Sequence, residues 1–188
     1  MTTVSLRAPA GLQQWAQLYR LYYRAFPRSE RKPFSFMVKK HREGTFEMLC
    51  ILREDRFAGL AFMAFHGDLV LVDYLAVSDT LRGSGVGSAA LQALRSRYPG
   101  KRLFLEIESV YEDTPERPQR LRRKHFYLEN GMTPMGVMVR LFGVPMELLG
   151  FDCRITYPQY RDFYLQSMGP WAAEHIESLP WPAKKEWE

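Results

Sequence analysis

The sequence predicts an α/β protein with a mixed, mostly antiparallel sheet. Three apolar segments follow one another with only short turns between them: 46–52, 57–65 and 69–77. Such short connections are typical of antiparallel strands. A glycine loop, a helical pattern and a further apolar strand at 101–109 come next. Because a strand, a helical crossover and a second strand form a parallel pair, the sheet is expected to be mixed.

Periodicity and turn residues predict the other elements. Apolar residues at spacings of three and four predict the helices: 11–26, 34–40, the segment from the loop to about 97, 120–130 and 157–166. On the third helix Val86, Ala90, Leu91 and Leu94 are expected to face inward. Segments 135–142 and 145–149 predict a hairpin across Gly143. Proline and tryptophan residues, including Trp187, predict an irregular tail.

Length and composition favour one soluble globular domain with a substantial core. The chain has 188 residues, 46% of them hydrophobic, and no run of about 18 apolar residues that would cross a membrane. Cys50 and Cys153 lie in apolar segments without metal-ligand spacing, so we expect buried thiols, no metal and a cytoplasmic location. The net charge of +5 fits nucleic acid or a small ligand with several phosphates.

The segment Leu81–Ser88 has the chemistry of an anion site. It follows the apolar strand 69–77, contains Gly83, Gly85 and Gly87, and leads directly into a helical pattern. Glycines let a backbone approach a ligand closely, and the free N–H groups of a helix N-terminus attract anions. The sequence therefore predicts phosphate binding here.

Three other interpretations of this loop remain weaker. A nucleotide-triphosphate loop needs lysine after its last glycine, whereas Ser88 follows Gly87 here. A dinucleotide-binding turn places its first glycine directly after the strand, whereas five residues separate Val77 from Gly83. A turn that has glycines for packing alone would be conformationally costly if nothing bound there.

The loop 82–87 is similar to the Arg/Gln-x-x-Gly-x-Gly/Ala loop of the GCN5-related N-acetyltransferases (GNAT). The strand end 74–77 resembles their fourth strand. The segment 126–132 resembles their Tyr-x-x-x-Gly-Phe helix end, with Met132 in place of phenylalanine. The resemblance covers roughly residues 5–150 and rests on the order of elements as much as on the motifs.

The resemblance implies a fold and a coenzyme site. It implies a twisted sheet of about seven strands with helices on both faces and a splay between strands 69–77 and 101–109. Acetyl-CoA would lie in the splay, its pyrophosphate on the backbone of the loop and its pantetheine arm paired with the strand before it. The implied coenzyme contacts are Leu75, Ala76, Val77, Arg82, Gly83, Ser84, Gly85, Val86, Gly87 and Ser88.

Transfer of an acetyl group to an ammonium group needs a base, and release of the thiolate needs an acid. Tyr127 matches the family's acid, with a core or coenzyme-packing tyrosine as the alternative. Glu106 lies where some peptide N-terminal acetyltransferases have their base, and Asp73 matches a histidine position of arylalkylamine-type members. A relayed water or a simple ion pair with an arginine is the alternative for both carboxylates.

Two further groups complete the predicted site. Arg120 and Arg123 replace the family's usual asparagine and alanine, so they are expected either to reach the coenzyme's 3′-phosphate or to form a solvated helix face. The resemblance implies that the first two helices, the link between them and the last hairpin determine the acceptor. The candidate acceptor residues are Tyr22, Phe26, Glu30 and Glu108.

Together these residues predict an acetyl-CoA-dependent N-acetyltransferase that modifies a primary amine of a small molecule or peptide by direct transfer. The alternatives are a non-catalytic acyl-CoA-binding or regulatory module and an NAD(P)-binding domain. Residues 1–150 are expected to form the catalytic domain, and 151–188 a C-terminal helix and tail packed on it. No membrane partner is expected, nucleic acid is not favoured because no aromatic platform interleaves with the basic run, and a homodimer is possible.

Overall fold

The computed structural model describes residues 2–182. The chain contains an eight-stranded mixed sheet, mostly antiparallel, with flanking helices. The strands are β1 (Ser5–Arg7), β2 (Phe46–Arg53), β3 (Arg56–His66), β4 (Leu69–Val77), β5 (Arg102–Glu108), β6 (Thr133–Leu141), β7 (Val144–Gly150) and β8 (Ile176–Leu179). The helices are α1 (Gly11–Ala25), α2 (Phe34–Arg42), α3 (Val86–Arg97), α4 (Arg117–Glu129), α5 (Tyr157–Ser167) and α6 (Pro170–Glu174).

The predicted fold class is confirmed, and the structure corrects some details. In the described residues the sheet has eight strands rather than about seven. It includes the short strands β1 and β8, whose segments have no strong strand signal in the sequence. Between residues 170 and 182 the tail is not irregular, since it contains α6 and β8. The helix predicted at 120–130 begins earlier, at Arg117, because Pro118 lies in the first turn of α4, where a missing N–H costs nothing. Trp187 lies outside the described residues.

The chain divides into two compact units. The first comprises the residues up to Phe65 together with Val70–Lys101, and the second comprises His66–Leu69 together with the residues from Arg102 onward. These units do not coincide with the division at residue 150, which stays a prediction. Among the helices of residues 2–182, none has both the length and the hydropathy to cross a membrane. Cys50 and Cys153 are free thiols.

The first unit has its core between β2, β3, β4 and the helices that cover them. Most of β3 is completely buried, and Leu18, Tyr22 and Met37 of α1 and α2 have no exposed surface. Leu12 and Tyr19, which share the apolar periodicity of α1, are instead 90% and 48% exposed. Only some of the apolar residues that predict α1 are therefore buried.

Gly59 lets the backbones of β3 and β4 approach each other. The β2–β3 register shifts at Ile51/Leu52, next to the partner position of Gly59. A Cβ atom at residue 59 would collide with the carbonyl oxygen of Ala76 and lie 3.2 Å from Cα of Val77. Gly59 therefore determines how the end of β4 lies on β3.

In the second unit the strand order is β5–β7–β6–β8, and an ion pair holds α4 on these strands. None of the α4 residues, all of which the structure describes, is fully buried. Instead Nζ of Lys124 lies 2.8 Å from the carboxylate of Glu147 on β7, whose side chain is 0% exposed. Burial raises the pKa of Glu147, and the Lys124 charge opposes this rise.

We expect Gly59→Ala to lower the free energy of unfolding by about 1–3 kcal/mol because the new methyl group meets fixed backbone rather than a mobile side chain. Urea unfolding measures the loss. Gly100→Ala is the control, since its Cβ would meet nothing within 4 Å and only its positive φ of 74° is unfavourable. An equal or smaller loss for Gly59→Ala would contradict the packing argument.

We expect Lys124→Met to destabilise the protein by about 3–5 kcal/mol at pH 8, because it leaves Glu147 charged and unpaired. The native pKa of Glu147 then rises further above its unfolded value, so the native state binds the extra proton and stability falls as pH rises through this window. The loss should be smaller at pH 5. Unfolding at both pH values tests this, with the exposed Lys39→Met as control. A loss independent of pH would contradict it.

Candidate anion site and catalytic residues

The glycine loop has the backbone conformation that an anion site requires. After Asp79–Leu81, a single turn of 3₁₀ helix, Gly83 and Gly85 have φ values of 75° and 82°, which glycine adopts without strain. Gly85 is directly followed by Val86, the first residue of α3. The predicted start of this helix and its four buried residues, Val86, Ala90, Leu91 and Leu94, are confirmed.

The N-terminus of α3 is open to a ligand. No side chain caps Gly85, and no acidic residue lies in the first turn. The N–H groups of the first turn have no carbonyl partner one turn earlier. The hydroxyls of Thr2 and Ser84 instead donate to the carbonyls of Ser84 and Leu81, at 2.8 and 2.6 Å. These contacts fix the loop through its acceptors and leave the donors of the helix end for an anion.

Charge around the loop is partly balanced. Arg82, which is 65% exposed, lies 2.7 Å from Asp79, and Arg24 of α1 also pairs with Asp79. Both guanidinium groups therefore lie at the start of the loop with one carboxylate between them. Leu75, Ala76 and Val77, at the end of β4, are half-buried.

Asp73 lies in an ion pair within the first unit. Its carboxylate is 4% exposed and accepts two hydrogen bonds from Nζ of Lys32, at 2.6 and 2.9 Å. Tyr22 and Tyr74 also contact the segment between α1 and α2 that contains Lys32. The Tyr22 hydroxyl donates to the carbonyl of Lys32, and the Tyr74 hydroxyl donates to the carbonyl of Glu30. The chain between α1 and α2 is thereby fastened to β4.

The candidate acceptor residues of the first unit have different surroundings. Tyr22 has no exposed surface and belongs to the core, whereas Phe26 is half-buried against Tyr22 and Tyr74 and Glu30 is exposed. An open groove of about 710 Å³ lies instead along α1 and α2. Its lining includes Tyr19, Tyr23, Phe34, Val38, Lys39, Arg42 and Glu43. Sequence periodicity could not separate its tyrosines from buried ones.

In the second unit, Glu106 has partners that the sequence did not indicate. Its Oε1 accepts hydrogen bonds from the hydroxyls of Tyr160 and Tyr164, at 2.7 and 2.8 Å. Both tyrosines lie on the buried face of α5, where Phe104 of β5 packs against Tyr160 and Phe163. The spacing of Tyr160 and Tyr164 is the only sequence signal for this contact, and it indicates equally well a helix packed on a core.

Arg120 and Arg123 of α4 contact carboxylates. Arg120, 12% exposed, lies 3.0 Å from Glu108 and 3.4 Å from Glu112, and Arg123 lies 3.9 Å from Glu108. These contacts weigh against the solvated helix face and against a free Arg120 at the coenzyme phosphate. The coenzyme role of both arginines and the acceptor role of Glu108 stay predictions.

Tyr127 lies in the last turn of α4 and is half-buried. Burial raises the pKa of its hydroxyl, and the charge of Arg123 opposes the rise. The hydroxyl is therefore protonated at neutral pH, as a proton donor must be. Its ring contacts that of Phe126, with centroids 5.2 Å apart.

A strand, a left-handed glycine loop and an uncapped helix N-terminus make this an α/β protein with a candidate anion site. Residues 13–130, more than half of the chain, match the model of the acetyltransferase (GNAT) family. The chain belongs to this family, and the predicted resemblance is confirmed. It is an acetyltransferase, of the class that takes an acyl group from coenzyme A.

Solved structures support the fold. A GNAT-family acetyltransferase of Bacteroides thetaiotaomicron matches with a TM-score of 0.70 and 19% identity over 87% of this chain and 94% of that one. A Bacillus subtilis acetyltransferase in complex with CoA matches with a TM-score of 0.57 and 16% identity, over 81% of this chain and 99% of that one. A Salmonella typhimurium enzyme that modifies the N-terminal serine of ribosomal protein L7/L12 matches with a TM-score of 0.57 and 18% identity, over 83% of this chain and 97% of that one. No curated protein matches the sequence.

We expect Gly85→Glu to reduce the affinity for coenzyme A at least a hundredfold. Residue 85 has φ 82°, its Cβ would lie 3.2 Å from Oγ1 of Thr2, and a carboxylate would repel the pyrophosphate. Isothermal titration calorimetry measures the affinity. Gly100→Glu is the matched control, since it has a similar φ of 74° and lies beyond the other end of α3. Retained affinity in Gly85→Glu would exclude this loop as the phosphate site.

Proposed function

We propose that the protein is an acetyl-CoA-dependent N-acetyltransferase that moves the acetyl group to a primary amine of a small molecule or peptide by direct transfer. The observation that carries the proposal is the open N-terminus of α3 behind two left-handed glycines. Backbone from Arg82 to Ser88 would hold the coenzyme's pyrophosphate. Leu75, Ala76 and Val77 would pair with its pantetheine arm, and the N–H of Val77 would polarise the thioester carbonyl.

Proton transfer is assigned to residues of the second unit. Tyr127 would protonate the departing thiolate, since its raised pKa keeps the proton on the hydroxyl at neutral pH. Glu106 would take the proton of the ammonium nucleophile, directly or through a water. Asp73 is the weaker candidate because the Lys32 ammonium already occupies its carboxylate.

The groove along α1 and α2 bears on the acceptor class. Lys39 and Arg42 outnumber Glu43 among its charged lining residues. A polyamine would be repelled by this balance, whereas a peptide with acidic groups near its amine would be attracted. The Salmonella typhimurium enzyme, whose title names a protein N-terminus as its target, makes a peptide acceptor a reasonable first choice. A cytoplasmic location and a possible homodimer remain part of the proposal.

An acceptor screen with acetyl-CoA that measures release of free thiol tests the reaction. We expect release with one or more primary amines and with acidic peptides above polyamines. Coenzyme binding without thiol release for any acceptor would favour the non-catalytic acyl-CoA-binding module.

We expect Tyr127→Phe to lower kcat at least tenfold with acetyl-CoA affinity unchanged, because the variant lacks only the acidic proton. Steady-state kinetics and calorimetry measure the two quantities. Unchanged turnover would show that the acid role is wrong. A parallel loss of acetyl-CoA affinity would instead indicate the coenzyme-packing role.

A further inference from the structure

Helix α5 supplies two hydroxyl groups to one carboxylate of the sheet. Tyr160 and Tyr164 are one turn apart, both are 0% exposed, and both donate to Oε1 of Glu106. A carboxylate within an apolar strand is costly to bury unless donors compensate it. The two phenols provide that compensation without bringing a second charge, unlike Lys32 at Asp73.

The position of α5 is well determined by its own sequence. Thr156 and Gln159 form a capping box at its N-terminus, with Pro158 in the first turn. Tyr160, Phe163, Tyr164 and Ser167 form the buried face. The helix begins well after residue 130, where the match to the family model ends. The contact with Glu106 is therefore a feature that the family match does not contain.

We propose that Tyr160 and Tyr164 are positioning residues that hold Glu106 ionised and oriented for proton transfer, so that α5 is part of the catalytic machinery. The inference rests on the proposed function, in which Glu106 is the base or the anchor of a relaying water. Two donors on one oxygen fix the rotation of the carboxylate and favour its charged form. These hydroxyls are neutral, so the two contacts add no counter-charge of their own.

Among the described residues, Glu108 on β5 and Asp162 on α5 have charged partners of their own. Glu108, two residues along β5, contacts Arg120 and Arg123. On β7 the register partner of Glu106 is the apolar Leu148. On α5 the exposed Asp162 lies 3.5 Å from His66. Removal of the two tyrosine hydroxyls should therefore change the Glu106 carboxylate directly.

The test uses Tyr160→Phe and Tyr164→Phe in the full-length protein, with Tyr157→Phe as the matched control. Tyr157 lies on the same helix, but its hydroxyl donates to the carbonyl of Ile176 instead. Carbon-13 NMR follows the titration of the Glu106 side-chain carboxyl, assigned with Glu106→Gln. Because hydroxyl donors favour the ionised form, we expect its midpoint to move to higher pH by about half to one unit in each variant and not in the control.

Kinetics give the second readout. With an acceptor from the thiol-release screen, we expect each variant to lower kcat about tenfold, to leave the KM for acetyl-CoA unchanged, and to move the acidic limb of kcat/KM to higher pH. An unmoved midpoint in both variants, or an equal shift in Tyr157→Phe, would overturn the inference. Absence of thiol release by the unmodified protein would instead reject the proposed function, and the NMR titration separates these two failures.

Discussion

The first unit depends on the left-handed backbone at Gly83 and Gly85. These two residues turn the chain sharply enough for α3 to begin at Val86 without a side-chain cap. The buried face of α3 then fixes the helix, so the energy for holding an open N-terminus comes from apolar burial elsewhere in the helix. Thr2 and Ser84 bind carbonyl groups of the loop. Side chains thereby satisfy carbonyl acceptors of the loop, whereas no side chain caps the backbone donors at the N-terminus of α3.

The second unit shows a different balance, since ion pairs fasten the helix that bears Tyr127. Without a fully buried residue, α4 depends on Lys124 at Glu147 and on Arg120 at Glu108 for its orientation. A buried ion pair specifies a geometry more than it adds stability, because desolvation offsets much of the attraction. Such fixation would suit the role that we propose for Tyr127, which needs its hydroxyl at one defined position.

The sequence predicts features that depend on local pattern and fails where the partner is remote. The glycine loop, the inward face of α3 and the position of Tyr127 near the end of α4 follow from spacing within one element. By contrast, Asp73 meets Lys32, 41 positions away, and Glu106 meets Tyr160, 54 positions away. Periodicity marks all four residues as plausible in a helix, strand or loop but contains no information on which of them meet. Short β1 and β8 were missed for the same reason, since pairing with longer strands defines them.

The remote partners also bear on which of the two carboxylates we propose as the base. Asp73 and Glu106 both interrupt apolar strands. Protonation of Asp73 would leave the ammonium of Lys32, itself only 21% exposed, without its counter-charge. Protonation of Glu106 at Oε2 would leave both lone pairs of Oε1 to accept from the two phenols, which are neutral. For this reason we propose Glu106 rather than Asp73 as the base.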